Sequence, residues 1–172
     1  QLKRLTLFLF AGENETMDVD IKINQLSDVF LRDYPAADYP ELMYKKGRPY
    51  SCLLIDLHLE YRICIPFRSS IRHKNAFLFV GTERSRRTKS GLDYSKMVLI
   101  RNEAYLNDQN VVVDQDEYRE TIQNIRKIAG EAIDYLDEYI HHVDGTHRLH
   151  PKNYARKYQY STLPYFHDIM GL

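Results

Sequence analysis

Ser51-Cys52-Leu53-Leu54-Ile55-Asp56-Leu57, the break His58-Leu59-Glu60, and Tyr61-Arg62-Ile63-Cys64-Ile65-Pro66-Phe67 form the stretch that decides the fold. Two apolar runs of strand length flank a short connection. Such runs can pair only as antiparallel neighbours, because a parallel pair needs a crossover of about a dozen residues or more. Working outward, residues 76–80 and 96–101 give two more strand patterns, separated by a polar, basic loop over residues 81–91. Upstream, residues 5–10 are apolar, and Met17-Asp18-Val19-Asp20-Ile21-Lys22-Ile23 alternates apolar with charged. Residues 1–24 therefore read as an N-terminal hairpin with its second strand half exposed. Strands joined this closely favour an α+β chain built on a twisted antiparallel sheet.

Helical spacing appears in two places. Leu26, Val29 and Phe30 predict a short helix over residues 25–34, stopped by Asp33-Tyr34-Pro35. Over residues 114–143, Tyr118, Ile122, Ile125, Ala129, Ala132, Leu136, Tyr139 and Val143 recur at alternating intervals of four and three, which predicts one long helix with an apolar stripe. Asp114 with Glu117 resembles a capping box, and Gly145 is a terminator just past the end. Gly130 costs the helix about 1 kcal/mol relative to Ala and suggests a close helix contact. The tyrosine-rich tail from residue 153 reads as a last short helix broken at Pro164. With 172 residues and no linker, repeat or low-complexity segment, the chain is expected to form a single domain.

The 24 Lys and Arg balance the 24 Asp and Glu, yet the charges are segregated. Residues 68–89 carry seven basic side chains (Arg68, Arg72, Lys74, Arg84, Arg86, Arg87, Lys89) against Glu83 alone, and residues 148–158 add Arg148, Lys152, Arg156 and Lys157 with no acid. Asymmetry of this kind points to nucleic acid. No stretch reaches the ~18 apolar residues of a membrane span and no signal-peptide core is evident, so a cytoplasmic protein is expected, without membrane partners. Cys52 and Cys64 sit in strand runs and read as reduced core thiols. His141, His142, His147 and His150 match no established tetrahedral metal spacing, so neither a metal nor another cofactor is expected, and they read as the solvated end of a helix.

The segment richest in chemistry is residues 65–77, Ile-Pro-Phe-Arg-Ser-Ser-Ile-Arg-His-Lys-Asn-Ala-Phe. A strand end that opens into Arg68, Ser69, Arg72, His73, Lys74 and Asn75 offers guanidinium forks for phosphate oxygens, hydroxyls for positioning and an imidazole for proton transfer. Cleaving RNA without a metal needs a proton removed from the 2′-hydroxyl, a stabilised dianionic phosphorane and a protonated 5′-oxygen. Ser69 suits hydrogen bonding to the scissile phosphate, Arg48 and Arg68 suit the phosphorane, and His73 suits proton transfer, with Tyr44 or Lys74 as alternatives. Arg84, Arg86, Arg87 and Lys89 have the composition of a backbone-tracking RNA contact, joined by Arg72, Lys74, Asn75 and Lys96. Tyr158 and Tyr160, beside Arg156 and Lys157, offer stacking surfaces for unpaired bases.

Tyr44, Gly47-Arg48-Pro49-Tyr50, the strand ending Ile65-Pro66-Phe67-Arg68-Ser69, His73-Lys74-Asn75-Ala76-Phe77 and Gly91-Leu92-Asp93-Tyr94-Ser95-Lys96-Met97 occur in an order that resembles the toxins of type III toxin–antitoxin systems, the ToxN/AbiQ family with its TenpN and CptN relatives. The resemblance spans residues 40–101, extends loosely into the C-terminus and leaves residues 1–24 outside. It implies a compact sheet or barrel of the Kid/MazF type flanked by helices, and a metal-independent endoribonuclease that leaves 2′,3′-cyclic phosphate and 5′-hydroxyl ends. It further implies a repeated, pseudoknotted antitoxin RNA that the toxin processes and that holds it in a closed protein–RNA complex, with cellular or phage RNA as the substrate after release, in phage defence. The family's serine falls on Ser69, its basic residue before the first core strand on Arg48, and its tyrosine four residues earlier on Tyr44. A lysine that some members carry two positions after the serine falls on Ile71, so Arg68, Arg72 or Lys74 would replace it, and Tyr34 and Tyr39 are candidates for a further tyrosine. Two other readings remain open: a non-catalytic RNA-binding module, and a protein-inhibited toxin of the Kid/MazF type.

Overall fold

The computed structural model describes residues 3–8, 16–45, 47–107, 109 and 111–172. In chain order the elements are β1 (Lys3–Phe8), β2 (Thr16–Leu26), α1 (Asp28–Asp33), β3 (Ser51–Asp56), β4 (Arg62–Arg68), β5 (Ala76–Leu78), α2 (Glu83–Arg87), β6 (Gly91–Asp93), β7 (Val98–Ile100), β8 (Leu106–Asn107), α3 (Gln115–Gln123), α4 (Ile125–Val143), α5 (Pro151–Tyr158) and α6 (His167–Met170). Single turns of 3-10 helix lie at Pro40–Leu42, Tyr94–Lys96, Glu103–Tyr105 and Leu163–Phe166.

The decisive hairpin forms as its pattern dictates. β3 and β4 are antiparallel, and the connection turns at His58, whose φ is 56°. β2 pairs with the other edge of β3 and β7 with β4, so Ile21, Ile55, Ile63 and Leu99 are successive partners across four strands. All four are buried. Cys52 to Ile55 and Ile63 to Pro66 are buried on both faces of their strands, which is why these runs are continuously apolar rather than alternating. Cys52 and Cys64 are free thiols inside this core, and burial pushes the Cys64 thiol well up from its usual range. β1 pairs with β2, as the N-terminal hairpin reading required; its connection lies outside the described residues. The sheet runs β1-β2-β3-β4-β6-β5, with β7 on β4 and β8 on β2. Every pairing is antiparallel, and the described strands form an open sheet, so the barrel alternative is set aside.

Other expectations are corrected. β2 extends to Leu26, and Ser27 caps α1 by accepting from the Phe30 amide, so the first helix starts three residues later than its spacing suggested. The long helix is two. Asn124 has φ −110° and ψ 14°, and its side-chain amide donates to the Glu120 carbonyl at 2.9 Å while Thr121 donates to the Glu117 carbonyl at 2.8 Å. Such side-chain competition for backbone groups bends and ends helices. Asp114 makes no side-chain cap. The capping box occurs instead in the supposed basic loop, where Thr82 and Ser85 exchange side-chain to backbone bonds and start α2. Gly130 has open space where a Cβ would stand, so no close contact requires it. Gly91 is the glycine that packing does require, since a Cβ there would lie 2.0 Å from the Phe77 carbonyl oxygen of the neighbouring strand. α4 buries Ile125, Ile128, Ala129, Ala132, Ile133, Leu136 and Tyr139 in the common core, and Gly145 leaves its end with φ 84°. No helix among the described residues is long and apolar enough to cross a membrane.

Candidate functional site

β4 ends at Arg68, and the chain then turns through Ser70, whose φ is 59°. A left-handed backbone at a residue with a Cβ is costly and is kept only where the surroundings impose it. Here Ile71 imposes it: its side chain is buried and its amide donates to the Lys89 carbonyl at 2.9 Å. Ser69 and Ser70 are lifted into solvent between two anchored points.

Two clefts adjoin at Ser69. One, about 220 Å³, has Tyr44, Arg48, Phe67, Arg68, Ser69 and Arg84 in its wall. The other, about 290 Å³, contains Arg68, Ser69, Arg72, His73, Asp93 and Tyr160. Arg68, Ser69 and Met43 belong to both. Arg48 enters from a tight turn in which its amide donates to the Lys45 carbonyl at 3.1 Å and Gly47 has φ 74°. Its guanidinium is exposed and has no acidic partner among the described residues, and the same holds for Arg72 and Lys74. These cations are available to an anion.

Beneath them lies a carboxylate that the charge pattern did not single out. Asp93 is 2% exposed. Its Oδ1 accepts from the Ser95 hydroxyl at 2.6 Å and the Ser95 amide at 3.0 Å, and its Oδ2 stands 3.6 Å from Arg68 Nε and 3.4 Å from His73 Nε2. Its position just before a single 3-10 turn, with Ser two residues on, is the only sequence signal that could have found it, an Asx-type cap within the quoted residues 91–97.

The remaining sites divide by how their charge or ring is used. Tyr44 lines the first cleft, but its hydroxyl donates toward the Leu31 and Tyr34 carbonyls at 3.3 and 3.2 Å. Tyr34 stacks on Phe30 at 4.6 Å, and burial pushes its phenol up to about 12. Lys96 is 5% exposed, its ammonium held by the Glu41 carboxylate and the Tyr160 carbonyl at 2.5 Å each, so it is not presented to an RNA backbone. Tyr158 is 1% exposed and donates to the Tyr135 carbonyl and Glu138 at 2.8 Å, so it offers no stacking face. Lys157 is paired with Glu138 and lies over the Tyr135 and Tyr158 rings. Asn75 donates to the Lys157 carbonyl at 3.1 Å and holds the C-terminal segment in place. Tyr160, in contrast, is 64% exposed at the rim of the second cleft.

Two of the four cations over residues 83–89 are spent on the fold, Arg84 on α3 and Arg87 within α2. Arg84 makes a bidentate pair with buried Glu117 at 2.8 and 2.7 Å, and Arg87 pairs with Glu83 at 2.5 Å. Glu120 accepts from the Val80 and Gly81 amides and Asp116 from the Glu83 amide, which docks α2 on α3. Burial raises the Glu117 carboxyl above its usual range, with Arg84 opposing. Arg86 and Lys89 remain exposed without an acidic partner among the described residues, and Arg156 donates to Asn153 at 2.7 Å. Of the histidines near the end of α4, His142 accepts from the Leu149 amide and stacks on Tyr154, and His150 caps α5. No three His, Cys, Asp or Glu side chains among the described residues gather as metal ligands. Compared with known proteins, the chain matches no family model, no curated protein and no solved structure.

Proposed function

We propose that the protein is an endoribonuclease that cleaves RNA at the joined clefts around Ser69. The observation that carries this reading is the convergence of Arg48, Arg68 and Arg72 on one exposed serine at a strand end, with Arg48 and Arg72 unneutralised. Guanidinium groups set around a sheet-anchored strand end suit a dianionic phosphorane better than a ground-state phosphate diester, which is the condition for catalysis rather than binding. Ser69 hydrogen-bonds a non-bridging oxygen, and Arg48 with Arg68 or Arg72 holds the others. The 2′-hydroxyl proton passes to the imidazole of His73 while the 2′-oxygen attacks phosphorus. The bond to the 5′-oxygen breaks, and that oxygen takes a proton from water, whose hydroxide the imidazolium neutralises. The products are a 2′,3′-cyclic phosphate and a 5′-hydroxyl, formed without a metal.

Together with the ordered residues over 40–101, this supports a place among the type III toxins, in an open-sheet form of the Kid/MazF-type architecture. On this reading the toxin acts in the cytoplasm on cellular or phage mRNA. A repeated pseudoknot RNA, which it processes, restrains it in a closed complex. A non-catalytic RNA-binding module would use the same cations but has no role for a histidine set against a buried carboxylate. Purified protein incubated with RNA in EDTA tests the reading: cyclic-phosphate ends are expected, and intact RNA would favour the module. RNA co-purifying from cells, sequenced and found to be a short repeat, is the expected signature of the antitoxin. A co-purifying protein inhibitor in its place would point to the protein-inhibited class.

A further inference from the structure

Resting on that reading, we infer that Asp93 and Ser95 act as positioning residues that fix which nitrogen of His73 takes the proton. Asp93 accepts two hydrogen bonds from Ser95, one of them from its hydroxyl at 2.6 Å. That hydroxyl has one hydrogen, and the short contact assigns it to the carboxylate. Toward His73 Nε2, 3.4 Å away, the Ser95 oxygen can then only accept, and the Asp93 carboxylate, also at 3.4 Å, can only accept. Both neighbours of Nε2 therefore require it to carry hydrogen, which leaves the lone pair of the neutral ring on Nδ1. Among the described residues Nδ1 has no partner, and His73 lines the cleft that contains Ser69.

The burial of Asp93 makes this arrangement rigid. A carboxylate removed from water is tolerated only when it is hydrogen-bonded and paired with charge, and here Oδ1 takes the two Ser95 bonds while Oδ2 lies at ion-pair distance from Arg68 and His73. The other charged groups of the cleft do not compete for the imidazole, since Lys96 and Glu41 pair with each other and Arg72 is exposed. When Nδ1 takes the 2′-hydroxyl proton, the imidazolium faces a carboxylate already oriented to receive its charge.

Imidazole nitrogen NMR of the full protein tests this, with His73 assigned by comparison with His73→Gln. The wild type is expected to show His73 as the Nε2–H tautomer when neutral. Asp93→Asn should move it toward Nδ1–H or a mixture and lower kcat for RNA about 10²-fold with KM little changed. Ser95→Ala keeps the carboxylate, so it should shift the tautomer only part of the way toward Nδ1–H and lower kcat about tenfold, and it supplies the test if Asp93→Asn does not fold. In a His73→Gln background, Asp93→Asn should cost nothing further. An Nε2–H signal unchanged in a folded variant, or a full additional loss in the His73→Gln background, overturns the inference; the latter would place the effect of Asp93 on Arg68. Failure of the wild type to cleave RNA would sink the nuclease reading while the tautomer measurement still decides the role of Asp93.

Discussion

Residues 68–74 and residues 83–89 have nearly the same composition, dense in Arg and Lys and almost free of acid, yet they are used differently. In the first, Arg72 and Lys74 reach solvent unpaired and Arg68 only shares a buried aspartate. In the second, Arg84 is locked to Glu117, Arg87 is paired with Glu83, and the backbone of residues 80–83 is held by Glu120 and Asp116. The second segment spends two of its four cations on the fold, leaving Arg86 and Lys89 exposed away from Ser69, whereas the first keeps its free cations beside the exposed serine. Local charge density alone therefore does not mark a binding surface. What marks it is cationic charge left over after the acidic helices have taken their share.

Substitutions should separate the two segments. The largest effect is expected at the free cation outside both: Arg48→Ala, and likewise Ser69→Ala, should reduce RNA cleavage in EDTA about 10²- to 10³-fold while the melting temperature stays put. Arg84→Ala should do the reverse, destabilising the protein by about 2 kcal/mol because it strands a buried carboxylate, with a smaller loss of cleavage; a thermal melt alongside the assay reads both. Gly130→Ala, which meets open space on α4, should add about 1 kcal/mol. Combined with either variant it should recover about half of the stability lost in Arg84→Ala but none of the activity lost in Arg48→Ala, and rescue of both would erase the distinction. For a non-cleavable RNA, Arg72→Ala should lower the slope of log affinity against log salt by about 1, whereas Arg87→Ala should leave it unchanged. The smallest expected effect is on stability at Arg87→Ala, about 0.3 kcal/mol for an exposed pair.

Much of the scaffold was legible because it rests on local pattern. The continuous apolar runs of β3 and β4, the alternation in β2 and the stripe of α4 each state their own burial. What stayed hidden depends on partners distant in sequence or on side chains competing with the backbone. The break at Asn124 comes from amide and hydroxyl bonds to carbonyls that leave the apolar spacing intact. Lys96 reads as one more cation until Glu41, 55 residues away, closes over it. Arg84 finds Glu117 33 residues on. Tyr158 sits among basic residues in sequence and among aromatic rings in space. Asp93 lay inside a segment already noticed, yet an acid in a basic neighbourhood carries no signal of its own until the fold brings Arg68 and His73 to it.

The central claim is that the charge left unpaired around Ser69, and not the basic segment as a whole, carries the chemistry. The most direct measurement is RNA cleavage in EDTA by the wild type, Arg48→Ala and the double variant Arg86→Ala/Arg87→Ala, with end-group analysis of the products. Cyclic-phosphate ends from the wild type, their near-complete loss in Arg48→Ala and at most a few-fold loss in the double variant are the predicted result. Full activity in folded Arg48→Ala, or an equal collapse in the double variant, would contradict it.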